Sequence, residues 1–122
     1  MSDSHDVRRA RGTARLAELA DEPGGEAFLA RMGALGDYLV DFVFGDVHVR
    51  EGLTLREREL IITAVLATLG SCDPQVQSHI RAMRAIDVPD TTIEEMIIAI
   101  SPYAGFPRAI NALKVLRQEQ GR

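Results

Sequence analysis

Residues 60–69 of this chain, Leu60 to Leu69, are apolar on nearly every side. The four residues at 54–57, Thr54-Leu55-Arg56-Glu57, have capping-box spacing, in which the threonine oxygen and the glutamate each satisfy an amide at the other's position. The spacing predicts a helix that starts here and has no wet face. Such a helix must be enclosed at the centre of a domain, at a subunit interface, or both. A span of about 20 apolar residues is needed to cross a membrane, and this run is far shorter. With 122 residues in all, the chain suits one domain, expected over residues 7–120 after a mobile polar start at 1–6.

The other segments also read as helices, separated by sharp stops. Val7 to Ala20 carries a weak amphipathic stripe, ended by Asp21-Glu22-Pro23-Gly24-Gly25. A second helix is expected from Glu26 to Phe44, with Gly33 and Gly36 tolerated by close packing against another helix, and Gly45 to Leu53 as a loop. Asp73 reads as the N-cap of a helix with Pro74 in its first turn, running to Ile86. Thr92 and Glu95 read as a capping box for a helix through Ile100. A corner at Ser101 to Pro107 and a last helix to Gln118 complete an all-α bundle of about six helices.

Composition narrows the function. The net charge of −4 provides no basic field for a phosphate backbone, and no aromatics interleave with Arg8, Arg9, Arg11 and Arg15, so no nucleic-acid partner is expected. One cysteine, Cys72, cannot form an internal disulfide and fits a reducing cytoplasm. No apolar stretch follows the basic start, so no secretory signal is expected. His5, His48 and His79 lack zinc-site spacing, and the glycines match no phosphate-loop or dinucleotide template, so neither a metal site nor a phosphate-binding loop is expected.

Three groups of side chains could carry chemistry. Glu59 and His79 form a candidate acid–base pair. They lie about twelve and seven residues from the turn at Gly70–Asp73, so a contact requires an offset crossing or a second subunit. Without contact, Glu59 reads as a helix-capping or salt-bridging residue and His79 as a half-buried polar contact. Arg50, Arg56 and Arg58 flank the start of the central helix, where a guanidinium could grip a carboxylate. Cys72 precedes a helix N-terminus, a setting that favours thiolate; an inert thiol is the plain alternative.

The ordered set of segments is similar to the carboxymuconolactone decarboxylase family. Phe44-Gly45-Asp46-Val47, then Arg50 to Leu60, then His79, then Glu94-Glu95, then Tyr103-Ala104-Gly105-Phe106-Pro107-Arg108-Ala109 carry the resemblance, from about Gly33 to Leu116. It implies the helical fold of alkylhydroperoxidase D-like proteins and a homo-oligomer, a trimer or hexamer. It also implies cofactor-independent decarboxylation of a carboxylated γ-lactone to an enol-lactone in aromatic-acid breakdown. On that reading His79 moves the proton and Glu59 orients it, while Arg58, Arg50 and Tyr103 hold a small carboxylate or lactone. Gln75 stands where the peroxidase branch has its second cysteine, which leaves Cys72 without a resolving thiol. His48 and Asp87 depart from the family's usual aromatic and glycine, which keeps a relative acting on another small carbonyl compound as the alternative. A thiol peroxidase and a non-catalytic helical assembly are the remaining classes.

Overall fold

In a computed structural model, which describes residues 4–19 and 29–122, every regular element among the described residues is a helix. The stop expected at Asp21–Gly25 lies outside those residues. The chain divides into two compact units, Met1–Leu55 and Arg56–Arg122.

In the first unit, α1 (His5–Leu19) packs on a π-helical segment, Leu39–Val47, which continues directly from the short α2 (Ala34–Tyr38). The single helix expected from Glu26 to Phe44 is therefore broken. The chain turns at 32–33, where Gly33 has φ of 57°, and the winding changes at Leu39. Gly36 is required by the carbonyl of Leu29, in the helical residues 29–31 before the turn, against which a Cβ would collide. The segment read as a loop from Gly45 is helical through Val47, and His48 behind it is buried with its ring 5.3 Å from that of Phe44.

Ion pairs bind α1 to the π-helical segment. Arg9 grips the buried Asp41, which also accepts from His5 at 3.0 Å, and Arg8 holds Asp46 at 2.7 Å. Arg9 foremost holds the Asp41 carboxyl below the ordinary aspartate value of 3.8, and Arg8 does the same for Asp46. A carboxyl whose folded value is depressed adds stability above its unfolded value and loses it as pH falls through the folded value. The thermal midpoint of the chain is thus expected to hold from neutrality to about pH 5 and to fall below about pH 4. Asp41→Asn, measured over the same range, is expected to shrink that acid-side fall.

The second unit holds α3 (Leu55–Leu69), α4 (Asp73–Ala85), α5 (Asp90–Ala104) and α6 (Phe106–Glu119). Both α4 and α5 pack on α6. The core follows from helical spacing: Val76, Ile80 and Met83 on α4, Ile93 and Ile97 on α5, and Ala109, Ala112, Val115 and Leu116 on α6. Alanines at 109 and 112 leave room for the larger side chains opposite. Glu119 closes the far end, accepting from Arg81 at 2.9 Å and Gln77 at 2.8 Å, and these bonds hold its carboxyl below the usual range.

Three boundaries differ from the sequence reading. Cys72, not Asp73, is the N-cap of α4, and its carbonyl accepts from the Val76 amide at 2.9 Å. Helix α5 begins at Asp90 behind Pro89, so Thr92 lies inside the first turn, where its hydroxyl accepts from Arg56 at 3.2 Å instead of capping. The expected corner at Ser101 is absorbed into α5, which carries Pro102 within it and stops at Gly105. Gly105, with φ of 94°, turns the chain between α5 and α6 in a single residue, a conformation that disfavours any side chain.

Candidate active site

Helix α3 is inside out. Its buried stripe at four-residue steps is Glu59, Thr63 and Ala67, while Ile61, Val65 and Leu69 on the opposite face are 49 to 64% exposed in the single chain. A carboxylate with no exposed surface costs several kcal/mol unless it is paired, on the order of the idealised desolvation penalty after relaxation. The partner is His79 on α4, whose Nδ1 lies 2.8 Å from Glu59 Oε2. The two side chains therefore meet within one chain. Thr63, one turn beyond Glu59, is fully buried and donates its hydroxyl proton to the Glu59 carbonyl at 2.7 Å.

The pairing sets the chemistry of the ring. A carboxylate only accepts, so Nδ1 donates to it and Nε2 becomes the atom that gives or takes a proton. The imidazole keeps 21% of its side-chain surface exposed, whereas Glu59 keeps none. A buried carboxyl group behind a partly open imidazole orients the ring and leaves its other nitrogen reachable from outside, the arrangement of a positioned general acid or base.

The other candidates are dispersed. Arg58 is half-buried on α3, about 100° around the helix from Glu59 and on the side of Ile61 and Val65. Cys72 is half-buried and about 10 Å from His79 along the α4 axis, beyond hydrogen-bonding reach. Tyr103, in the last turn of α5, is 92% exposed, and Arg50 is an exposed residue of the first unit. A depression of about 260 Å³ between α4 and α6 is lined by Asp73, Gln77, Asn111 and Lys114, away from the Glu59–His79 pair. Among the described residues no group of three or more His, Cys, Asp or Glu side chains is placed to share a metal ion, and no helix is long and apolar enough to cross a membrane.

Two contributors escape a reading of the sequence. Thr63 carries a signal in retrospect, since it stands four residues from Glu59 on the same face of an otherwise apolar helix. Arg108 is marked only as part of the segment that carries the resemblance; its guanidinium lies where a Cβ at Gly70 would be, against the turn between α3 and α4.

A family model described as the carboxymuconolactone decarboxylase family matches residues 33–118. The chain belongs to that family. All seven residues singled out for chemistry, Arg50, Arg56, Arg58, Glu59, Cys72, His79 and Tyr103, fall within the carboxymuconolactone decarboxylase segment. A curated protein of Acinetobacter baylyi named 4-carboxymuconolactone decarboxylase is 35% identical over 83 residues, which is 68% of this chain. The matched residues span 60% of that relative's length.

Proposed function

We infer that this member of the carboxymuconolactone decarboxylase family removes carbon dioxide from a carboxylated γ-lactone of the 4-carboxymuconolactone kind, giving an enol-lactone. The observation that carries the reading is the 2.8 Å contact between a fully buried carboxylate and a partly exposed imidazole. The bond from the ring to the departing carboxylate carbon breaks, and its electron pair moves into the unsaturated lactone. Carbon dioxide leaves, and the resulting enolate carbon takes a proton from Nε2 of the His79 imidazolium. Neutral His79, still donating from Nδ1 to Glu59, recovers its proton from water on its exposed side. An unsaturated lactone accepts the electrons itself, so the step requires only orientation, desolvation and a proton donor.

Arg58 is assigned to the substrate carboxylate, with Arg50 and Tyr103 in support, and Cys72 to the pocket wall. The exposed stripe Ile61, Val65 and Leu69 supports a homo-oligomer, because soluble chains rarely leave contiguous apolar surface of this kind uncovered. The lone cysteine supports a cytoplasmic setting. The substrate class is tested by carbon dioxide release from 4-carboxymuconolactone. No release above the uncatalysed rate, with release from another carboxylated carbonyl compound, would favour the relative acting on a different substrate. Arg58→Ala is expected to raise KM by about 10- to 100-fold with a smaller change in kcat, and Arg58→Lys to recover part of it, consistent with a lost charged hydrogen bond. Steady-state kinetics with both variants checks this.

A further inference from the structure

The π-helical segment Leu39–Val47 is wound in a way that its contacts with α1 explain. Nine residues of π-helix are uncommon, since the form usually occurs as single-turn bulges. Among the described contacts with α1, those of Val40, Asp41, Gly45 and Asp46 fall into two pairs five apart. Val40 and Gly45 meet it through the backbone: a Cβ at Gly12 would strike the Val40 carbonyl, and a Cβ at Gly45 would strike the Arg8 carbonyl. Asp41 and Asp46 meet it through charge, Asp41 with Arg9 and His5, Asp46 with Arg8 at 2.7 Å and Arg11 at 3.3 Å. Arg9 also reaches Asp37 at 3.2 Å, and Arg11 donates to the Gly45 carbonyl at 3.0 Å. Of the α1 residues involved, those at 5, 8, 9 and 12 share one face of an α-helix, and Arg11 lies at its edge.

Winding decides whether those pairs can face the same way. In a π-helix the hydrogen bond joins residues five apart, and the His48 amide does bond the Val43 carbonyl at 2.8 Å. That winding stacks Val40 over Gly45 and Asp41 over Asp46. In an α-helix residues five apart point about 140° away from each other, so one member of each pair would leave α1. We propose that α1 is the template for this winding: docked, it holds residues 39–47 as π-helix; released, it lets them rewind as α-helix. Rewinding by one residue turns His48 and Arg50 by about 100° relative to α2. The device thus couples seating of the N-terminal helix to the direction in which the chain leaves Val47. It does not depend on the decarboxylase reading.

Amide exchange and couplings across hydrogen bonds, measured by NMR on the full chain, test the proposal in two arms. One arm is the unmodified chain with and without about 1 M salt, where exposed charges are screened within about 3 Å. The other is the double variant Arg8→Gln with Arg9→Gln. In both, protection of residues 5–19 and 39–48 is expected to fall together by at least about tenfold, while Ile80, Ile93 and Leu116 keep theirs. The His48 amide is expected to move its bond from the Val43 to the Phe44 carbonyl. Loss of protection in α1 with His48 still bonded to Val43 overturns the proposal, as does an α1 that stays protected in both arms. Should the double variant unfold throughout, the salt arm decides between the same results.

Discussion

His79→Ala is expected to lower kcat for carbon dioxide release by about 10²- to 10⁴-fold, the usual contribution of a positioned general acid or base. Cys72, the other candidate proton carrier on α4, is about 10 Å away along the helix axis. Removing it also leaves Glu59 buried without its His79 partner, so a fold control is needed, and far-ultraviolet circular dichroism with thermal unfolding supplies it. His79→Gln is the companion, because an amide can donate to the Glu59 carboxylate and keep it paired while being unable to deliver a proton. Both variants are expected to lose turnover, and His79→Gln to retain more stability. Full turnover in a folded His79→Gln chain would remove His79 from the mechanism.

The largest expected loss of stability lies in the core of the second unit. Leu116 on α6 is fully buried, as are Ile80, Met83 and Ile93. Leu116→Ala removes packed methyl groups and leaves a cavity, which costs about 2–5 kcal/mol when neighbours cannot collapse into it. Domains of this size have only about 5–15 kcal/mol in all, so the urea midpoint is expected to fall by roughly 1–3 M. Lys114→Ala, two residues away and exposed, is expected to change stability by no more than about 0.5 kcal/mol. Equal midpoints for Leu116→Ala and the unmodified chain would contradict the packing described for α4, α5 and α6.

The helices that a reader of the sequence places well are those whose apolar spacing and stop signals agree. Helix α4 carries Val76, Ile80 and Met83 on one stripe behind Pro74, and it lies within one residue of its expected span. Helix α6 does likewise around Ala112 and Leu116. Local cues mislead where a tertiary contact supplies the decisive energy. Thr92 and Glu95 have the spacing of a cap, yet Pro89 sets the start of α5 and Arg56 takes the Thr92 hydroxyl. The π winding is hidden because Leu39, Phe42 and Val43 recur at three and four residues, which reads as α-helix; the pairs at 40/45 and 41/46 gain meaning only once α1 is seated on them.

The site shows the same division. Glu59 and His79 are recognisable as a pair by their order along the chain, but their meeting within one chain is not. An antiparallel hairpin would have kept them apart. The 2.8 Å contact shows instead that they meet, while α4 packs on α6. Arg58 is legible as a neighbour of Glu59, whereas Tyr103, 92% exposed, owes its candidacy to resemblance rather than to any contact in the chain.

Nitrogen-15 NMR of the His79 ring, recorded where the imidazole is neutral, tests the acid–base pair without any assumption about substrate. The hydrogen bond to Glu59 Oε2 predicts that Nδ1 carries the proton and Nε2 the lone pair. A ring with its proton on Nε2, or one exchanging freely between the two forms, would contradict the pairing on which the proposed chemistry rests.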